Sequence, residues 1–163
     1  MRWLAVLLLA GCGSSPQGQS DWERQNLKER EWTEDLAAPP AYPRTGALLE
    51  FFVSARSEFR FFIDGASISP GADGVVRYVL VARSPAGVEN VSYEGIRCAT
   101  GEYRRYAVGR ADASWSGRPG AWRPIEGGGL QPWHRVLHRE YFCPQSAPIR
   151  DAAEGVRALR EPR

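Results

Sequence analysis

The chain has 163 residues, with 21 basic and 19 acidic side chains, 17 glycines, 12 prolines and three cysteines. That length holds one domain with a sizeable core plus a short extension, and excludes two full domains. A formal net charge of +2 excludes a broad electrostatic footprint for nucleic acid, and Lys28, the single lysine, leaves no lysine chemistry to the fold.

Residues 3–10, "WLAVLLLA", are an apolar run of eight that follows one positive charge at Arg2. A bilayer-spanning helix needs roughly 20 such residues, so the run reads as the core of a secretory signal instead. Leu9-Ala10-Gly11-Cys12 resembles the lipobox of bacterial lipoproteins. On that reading residues 1–11 are removed and Cys12 becomes residue one. Its acyl chains, palmitate among them, hold the protein to membrane lipid at about 0.8 kcal/mol per buried CH₂. Position 13 is Gly rather than the Asp that resembles an inner-membrane retention signal, which directs the expectation to the outer membrane, facing the periplasm. The alternative is a plain signal peptide with an incidental cysteine.

Assigning Cys12 to lipid leaves Cys98 and Cys143, an even pair in an oxidising compartment and therefore a disulfide candidate. Two free core thiols are the competing reading. A metal site lacks the Cys-x-x-Cys spacing it requires, and neither metal nor cofactor is expected.

Residues 12–45 read as a tether. Ser20 and Glu23 give an S-x-x-E capping box ahead of a charged stretch to Asp35, whose apolar residues form no single clean stripe, so a short surface helix or a disordered arm is expected. Pro39-Pro40-Ala41-Tyr42-Pro43 then enforces an extended connection. The globular domain is placed at 46–143, with a tail or short helix over 144–163.

Five runs rich in aromatic and β-branched residues read as strands: "ALLEFFV" (47–53), "FRFFI" (59–63), "VVRYVLVA" (75–82), "VENVSYEGIRC" (88–98) and "YRRYAVG" (103–109). Asp64-Gly65, Pro70-Gly71 and Asp73-Gly74 break the chain between the second and third, and Ser84-Pro85-Ala86-Gly87 closes a hairpin between the third and fourth. The third is apolar on both alternating sets and belongs at the centre of the sheet, whereas the fifth alternates Tyr with Arg and suits one wet face. Residues 110–131 read as loop, with at most a short strand at 122–125. Pro132 opens a helix to Phe142, with Trp133, Val136, Leu137 and Tyr141 on one side, and a bridge from Cys143 to Cys98 would pin it to the sheet. A weak helix over 149–160 has Ile149, Val156 and Leu159 as apolar contacts.

Chemistry is harder to find. His134 and His138 stand four apart and share a helix face, yet Arg135 occupies the place where a zinc-protease helix needs Glu, so a surface or core-edge pair is the preferred reading. Gly127-Gly128-Gly129 lacks the Lys-Ser/Thr that completes a phosphate loop. There is no Gly-x-Ser-x-Gly elbow and no Ser-x-x-Lys pair, so acyl transfer has no support. Asn90-Val91-Ser92 matches a glycosylation sequon that a bacterial export product has no use for. Arg77, Glu94 and Arg97 interrupt apolar strands, where they could line a small anionic-ligand pocket or form structural ion pairs.

The stretch "RFFIDGASISPGADGVVRYVLVARSPAGVENVSYEGIRC", followed by "YAVG", a Trp and "EYFC", resembles the cryptic neisserial protein-like family of exported proteobacterial lipoproteins. The likeness covers about residues 46–143, with 73–78, 90–98 and 141–143 its most specific pieces. It implies the lipoprotein and disulfide readings and brings no catalytic residue to any position. Asp64, Ser67 and Ile68 also give a likeness in layout to the surface-adhesin protein E type of lipoprotein.

The expected architecture is α+β, mainly β: an antiparallel sheet of about five or six strands with a C-terminal helix packed on it. The expected role is a non-catalytic binding or structural module of the cell envelope, meeting an envelope protein or glycan. The alternatives are a periplasmic hydrolase built on His134, His138 and Glu94, and a small-ligand-binding protein with its pocket between sheet and helix.

Overall fold

The computed structural model describes residues 32–36, 38–125 and 132–161. The leader, Cys12, the Ser20 and Glu23 capping box, most of the charged stretch after it and the glycine triplet at 127–129 lie outside the described residues.

The described strands are β1 (Leu48–Phe51), β2 (Arg60–Asp64), β3 (Ser69–Pro70), β4 (Val75–Arg83), β5 (Glu89–Arg97), β6 (Glu102–Gly109), β7 (Trp115–Ser116) and β8 (Arg123–Pro124). They form one antiparallel sheet in the order β1-β2-β4-β5-β6-β7. β3 continues along β4 beyond β2, and β8 pairs with the start of β6. The five strands read from the sequence are β1, β2, β4, β5 and β6, and β8 falls within the short strand expected at 122–125. β3 and β7 are two-residue pairings, too short to carry an alternating pattern.

β4 is central, and eight of its nine residues are buried. Val76, Tyr78, Leu80 and Ala82 join a core with the C-terminal helices, while Val79 and Val81 join a second core on the opposite face. A strand buried on both sides reads as a continuous apolar run, as "VVRYVLVA" does. The turn to β5 is closed by the Gly87 N–H donating to the Ser84 carbonyl at 2.9 Å, and Gly87 takes φ +81°, which an L side chain resists.

Between β2 and β3 the edge of β4 is interrupted by a 3₁₀ turn, Gly65–Ser67. The Asp64 carboxylate accepts from the Ala66 N–H at its start, and burial keeps the Asp64 carboxyl above its ordinary value. The Val79 N–H, facing the gap in the ladder, donates to Ser67 Oγ at 2.8 Å, and that hydroxyl donates to the Asp64 carbonyl at 2.7 Å. One serine thus repairs the ladder. Ser67→Ala strands a buried N–H, and a loss of about 1–3 kcal/mol is expected in urea unfolding; an unchanged midpoint would show that Val79 finds another partner.

α1 (Pro132–Val136) runs directly into a wider π turn, Leu137–Phe142, whose end is marked by the Cys143 N–H donating to the His138 carbonyl at 3.2 Å. The extra residue in that turn lets Tyr141 and Phe142 both face the core along with Leu137. Cys98 and Cys143 are disulfide-bonded, with Cα atoms 5.3 Å apart, and tie the end of this helical segment to the sheet. α2 (Ala152–Arg160) is capped by Asp151, whose carboxylate accepts from the Glu154 N–H at 2.7 Å. Ile149, Val156 and Leu159, the contacts expected of it, reach the same core. Gly155 lies so close to Ile149 and Ile68 that a Cβ there would sit 2.8 Å from Ile149.

The second face of the sheet is covered by the segment before β1. Pro40 accepts a hydrogen bond from the Trp115 indole at 2.8 Å, the Tyr42 ring packs 5.2 Å from that of Trp115, and Glu34 reaches arginines of β4 and β6. Residues 34–36 and 38–42, placed in the tether by the sequence, form a strap across this face.

Candidate functional site

Three places concentrate polar chemistry: a buried clasp under α1, a groove beside it, and an ionic cluster beneath the strap.

The clasp joins Glu94 of β5 to His134 of α1. Glu94 stands opposite Tyr78 in the register, and Ser92 lies two residues along on the same face. His134 Nε2 is 2.8 Å from Glu94 Oε2, Ser92 Oγ donates to Oε1 at 2.7 Å, and the Tyr78 hydroxyl lies 3.4 Å from Oε2. With Nε2 facing a carboxylate, that nitrogen carries the proton and donates it. The Tyr103 ring stacks on the imidazole at 3.7 Å, and His134 Nδ1 has no hydrogen-bond partner among the described residues. Burial alone raises the Glu94 carboxyl; hydrogen bonds from His134 and Ser92 and the nearby Arg105 outweigh it and leave the group below its ordinary value. Burial, followed by Glu94, pushes the Tyr78 hydroxyl well above its own. His134 is only 1 % exposed. A surface or core-edge position was expected for it, and the partner that admits it to the core is the carboxylate on the facing strand.

The groove crosses the part of the same sheet face that α1 leaves open. Its volume is about 600 Å³; Leu80 and Ala82 contribute its floor, and Phe59, Phe61, Trp133 and Val108 its sides. Phe59 and Val108 are among the exposed large apolar residues of the protein. Ser92, Glu94 and Arg105 give it a polar end. There it adjoins a recess of about 120 Å³ lined by Glu94, Tyr103, Arg105, Arg118 and Arg123, with Gly120 and Ala121. His134 lines neither cavity.

Under the strap, Arg77 makes a two-pronged pair with Asp73, at 2.5 and 3.2 Å, and lies 3.7 Å from Glu34. Glu34 also pairs with Arg104 and accepts from the Tyr106 hydroxyl. Arg77, Gly95 and Arg104 are register neighbours across β4, β5 and β6. The Tyr106 ring lies over Gly95 with both guanidiniums within 6 Å of its centre, and a Cβ on Gly95 would come within 2.9 Å of that ring. A register shift between Tyr93 and Glu94 lets Tyr106 and Ala107 both turn to this face. Burial raises and Arg77 and two backbone N–H groups lower the Asp73 carboxyl, which ends below its ordinary value.

Of the five side chains singled out in the sequence, the structure brings two together, Glu94 and His134. Arg77 is on the opposite face, occupied with Asp73. Arg97, at the end of β5, is 3.6 Å from Glu102. His138 Nε2 contacts the Cys98 carbonyl at 3.1 Å, beside the disulfide, so the two imidazoles serve different strand positions despite their shared helix. The sequence reading missed Ser92 and Tyr78, which the alternation of β4 and β5 does reveal once the strands are paired. It also missed Arg118, from a loop with no periodicity to place it, and Arg123, from β8, whose two residues are too few to show which face they take.

Comparison with known proteins places this geometry in a family. No solved structure matches the chain. Cryptic neisserial protein 1 of Neisseria gonorrhoeae is 30 % identical over 149 residues, which cover 81 % of this chain and 73 % of that protein. The match to the CNP1-like family runs over residues 27–160, so it takes in the strap, the whole sheet and both helices. With the aligned region spanning strap, clasp, groove and disulfide alike, the chain belongs to the CNP1-like family.

Proposed function

We propose that the protein is a lipid-anchored lipoprotein of the outer membrane, facing the periplasm, that works by binding and not by catalysis, with the groove as its recognition surface. The observation that carries this reading is a division of labour within one sheet face. In the acid–imidazole pair, the arrangement nearest to a catalytic dyad, the imidazole is buried in the core holding α1 down and only the acid borders the groove, whose walls are mainly aromatic and aliphatic side chains. A general base has to reach the proton it removes, and His134 lines neither the groove nor the recess. Leu9-Ala10-Gly11-Cys12 supports the anchor, and a disulfide suits an oxidising compartment.

Two measurements test it. Cys12→Ser should move the protein from the membrane to the soluble fraction, and retention on the membrane sinks the anchor. A photo-crosslinker at Phe59, on the groove rim, should capture an envelope component in intact cells. Capture from Val88, exposed on the hairpin of β4 and β5, with none from Phe59 would put recognition elsewhere.

A further inference from the structure

We propose that the groove and the arginine-lined recess form one site for an anionic amphiphile, with a single acyl chain lying in the groove and its headgroup in the recess. This rests on the groove being the recognition surface and adds the chemical class of what it recognises.

The groove's size, about 600 Å³, lies within the range of roughly 300–1,000 Å³ that small-molecule sites occupy. Its walls are suited to hydrocarbon: Phe59, Phe61, Leu80, Val108 and Trp133 supply apolar surface, and Phe59 and Val108 expose it to solvent. The recess, at about 120 Å³, is too small for a chain and has the opposite character. Arg105, Arg118 and Arg123 converge on it; Arg105 lies within electrostatic reach of Glu94, and neither Arg118 nor Arg123 has a carboxylate partner among the described residues. Arg60, Arg77, Arg83, Arg104 and Arg150 are all paired with carboxylates. Glu94, the acid of the recess, spends its oxygens on Ser92 and His134. Three guanidiniums around one carboxylate leave the recess with an excess of positive charge, suited to a carboxylate or phosphate whose oxygens match the planar fork of Arg. Glu94 and Arg105 line both cavities, so the apolar and cationic parts meet. One molecule with an anionic head and an apolar body matches both parts at once.

Calorimetric titration of the full-length Cys12→Ser protein with 1-oleoyl-lysophosphatidate, kept below its micellar concentration, should give saturable one-to-one binding. The zwitterionic 1-oleoyl-lysophosphatidylcholine should bind about tenfold or more weakly, and the Arg118→Ala/Arg123→Ala double variant should lose about the same factor for the anionic lipid. Val108→Asp should abolish binding while leaving the thermal midpoint near that of the parent. No saturable binding, equal affinity for both lipids, an unaffected arginine variant, or inorganic phosphate binding as tightly as the lysolipid would each overturn the proposal. If the lipid fails while Phe59 still crosslinks to an envelope component, the binding reading survives and only the amphiphile falls; if both fail, so does the groove.

Discussion

Removing the Cys98–Cys143 bridge should lower the thermal midpoint by on the order of 10–20 °C. The bonded residues are 45 apart in sequence, and closing a loop of that size restricts the unfolded chain by roughly 4 kcal/mol on the loop-entropy account. For a domain of this length each kcal/mol is worth several degrees. The bridge also joins the last residues of the π turn to the end of β5, where His138 makes its contact with the Cys98 carbonyl, so the paired Cys98→Ala/Cys143→Ala variant leaves α1 held chiefly by the clasp and its core side chains. Calorimetry with and without a reducing agent checks this, and a midpoint that does not move would mean that the helix needs no covalent help.

His134→Ala should cost about 3–5 kcal/mol, since it leaves the Glu94 carboxylate in the core hydrogen-bonded only to hydroxyls. The decisive comparison is the double variant. Adding Glu94→Gln to His134→Ala removes the stranded charge, so the double variant should be more stable than His134→Ala alone, although each substitution by itself removes a native contact. The pH dependence follows with opposite signs. In the native protein the Glu94 carboxyl, like that of Asp73, lies below its ordinary value; its stabilisation is present above the unfolded-state value and lost as pH falls through the folded one. Without His134 the largest influence left on Glu94 is burial, which raises it. The folded variant then takes up a proton before the unfolded chain does, and its deficit shrinks with acidification. Urea unfolding of both proteins from pH 7 to pH 4 should show the gap narrowing. A constant gap would mean that the lost stability is packing against Tyr103 and not charge.

These two features also mark how far the sequence could be read. The strands were legible because β4 and β5 carry apolar residues at the period of a pleated sheet, and the disulfide because the reading of Cys12 as a lipid site left two cysteines to pair. The helix was legible from Pro132 and its apolar face, whereas the widening of its second half was not, since a π turn has no composition of its own. Glu94 and His134 each stood out as polar residues among apolar ones. Their pairing depends on how far along the sheet α1 begins, which is set by the packing of Leu137, Tyr141 and Phe142 and not by any spacing along the chain. Glu34 was harder still. It lies in a charged run that reads as solvated, and only the row of Arg77, Gly95 and Arg104 across three strands shows where its carboxylate is needed.

The strap has a geometrical consequence. It delivers the chain to the domain at Glu34, on the side of the sheet opposite to the one that carries the groove. The buried cluster of charges that fastens the strap and the open groove therefore occupy opposite faces of one sheet, and neither screens the other.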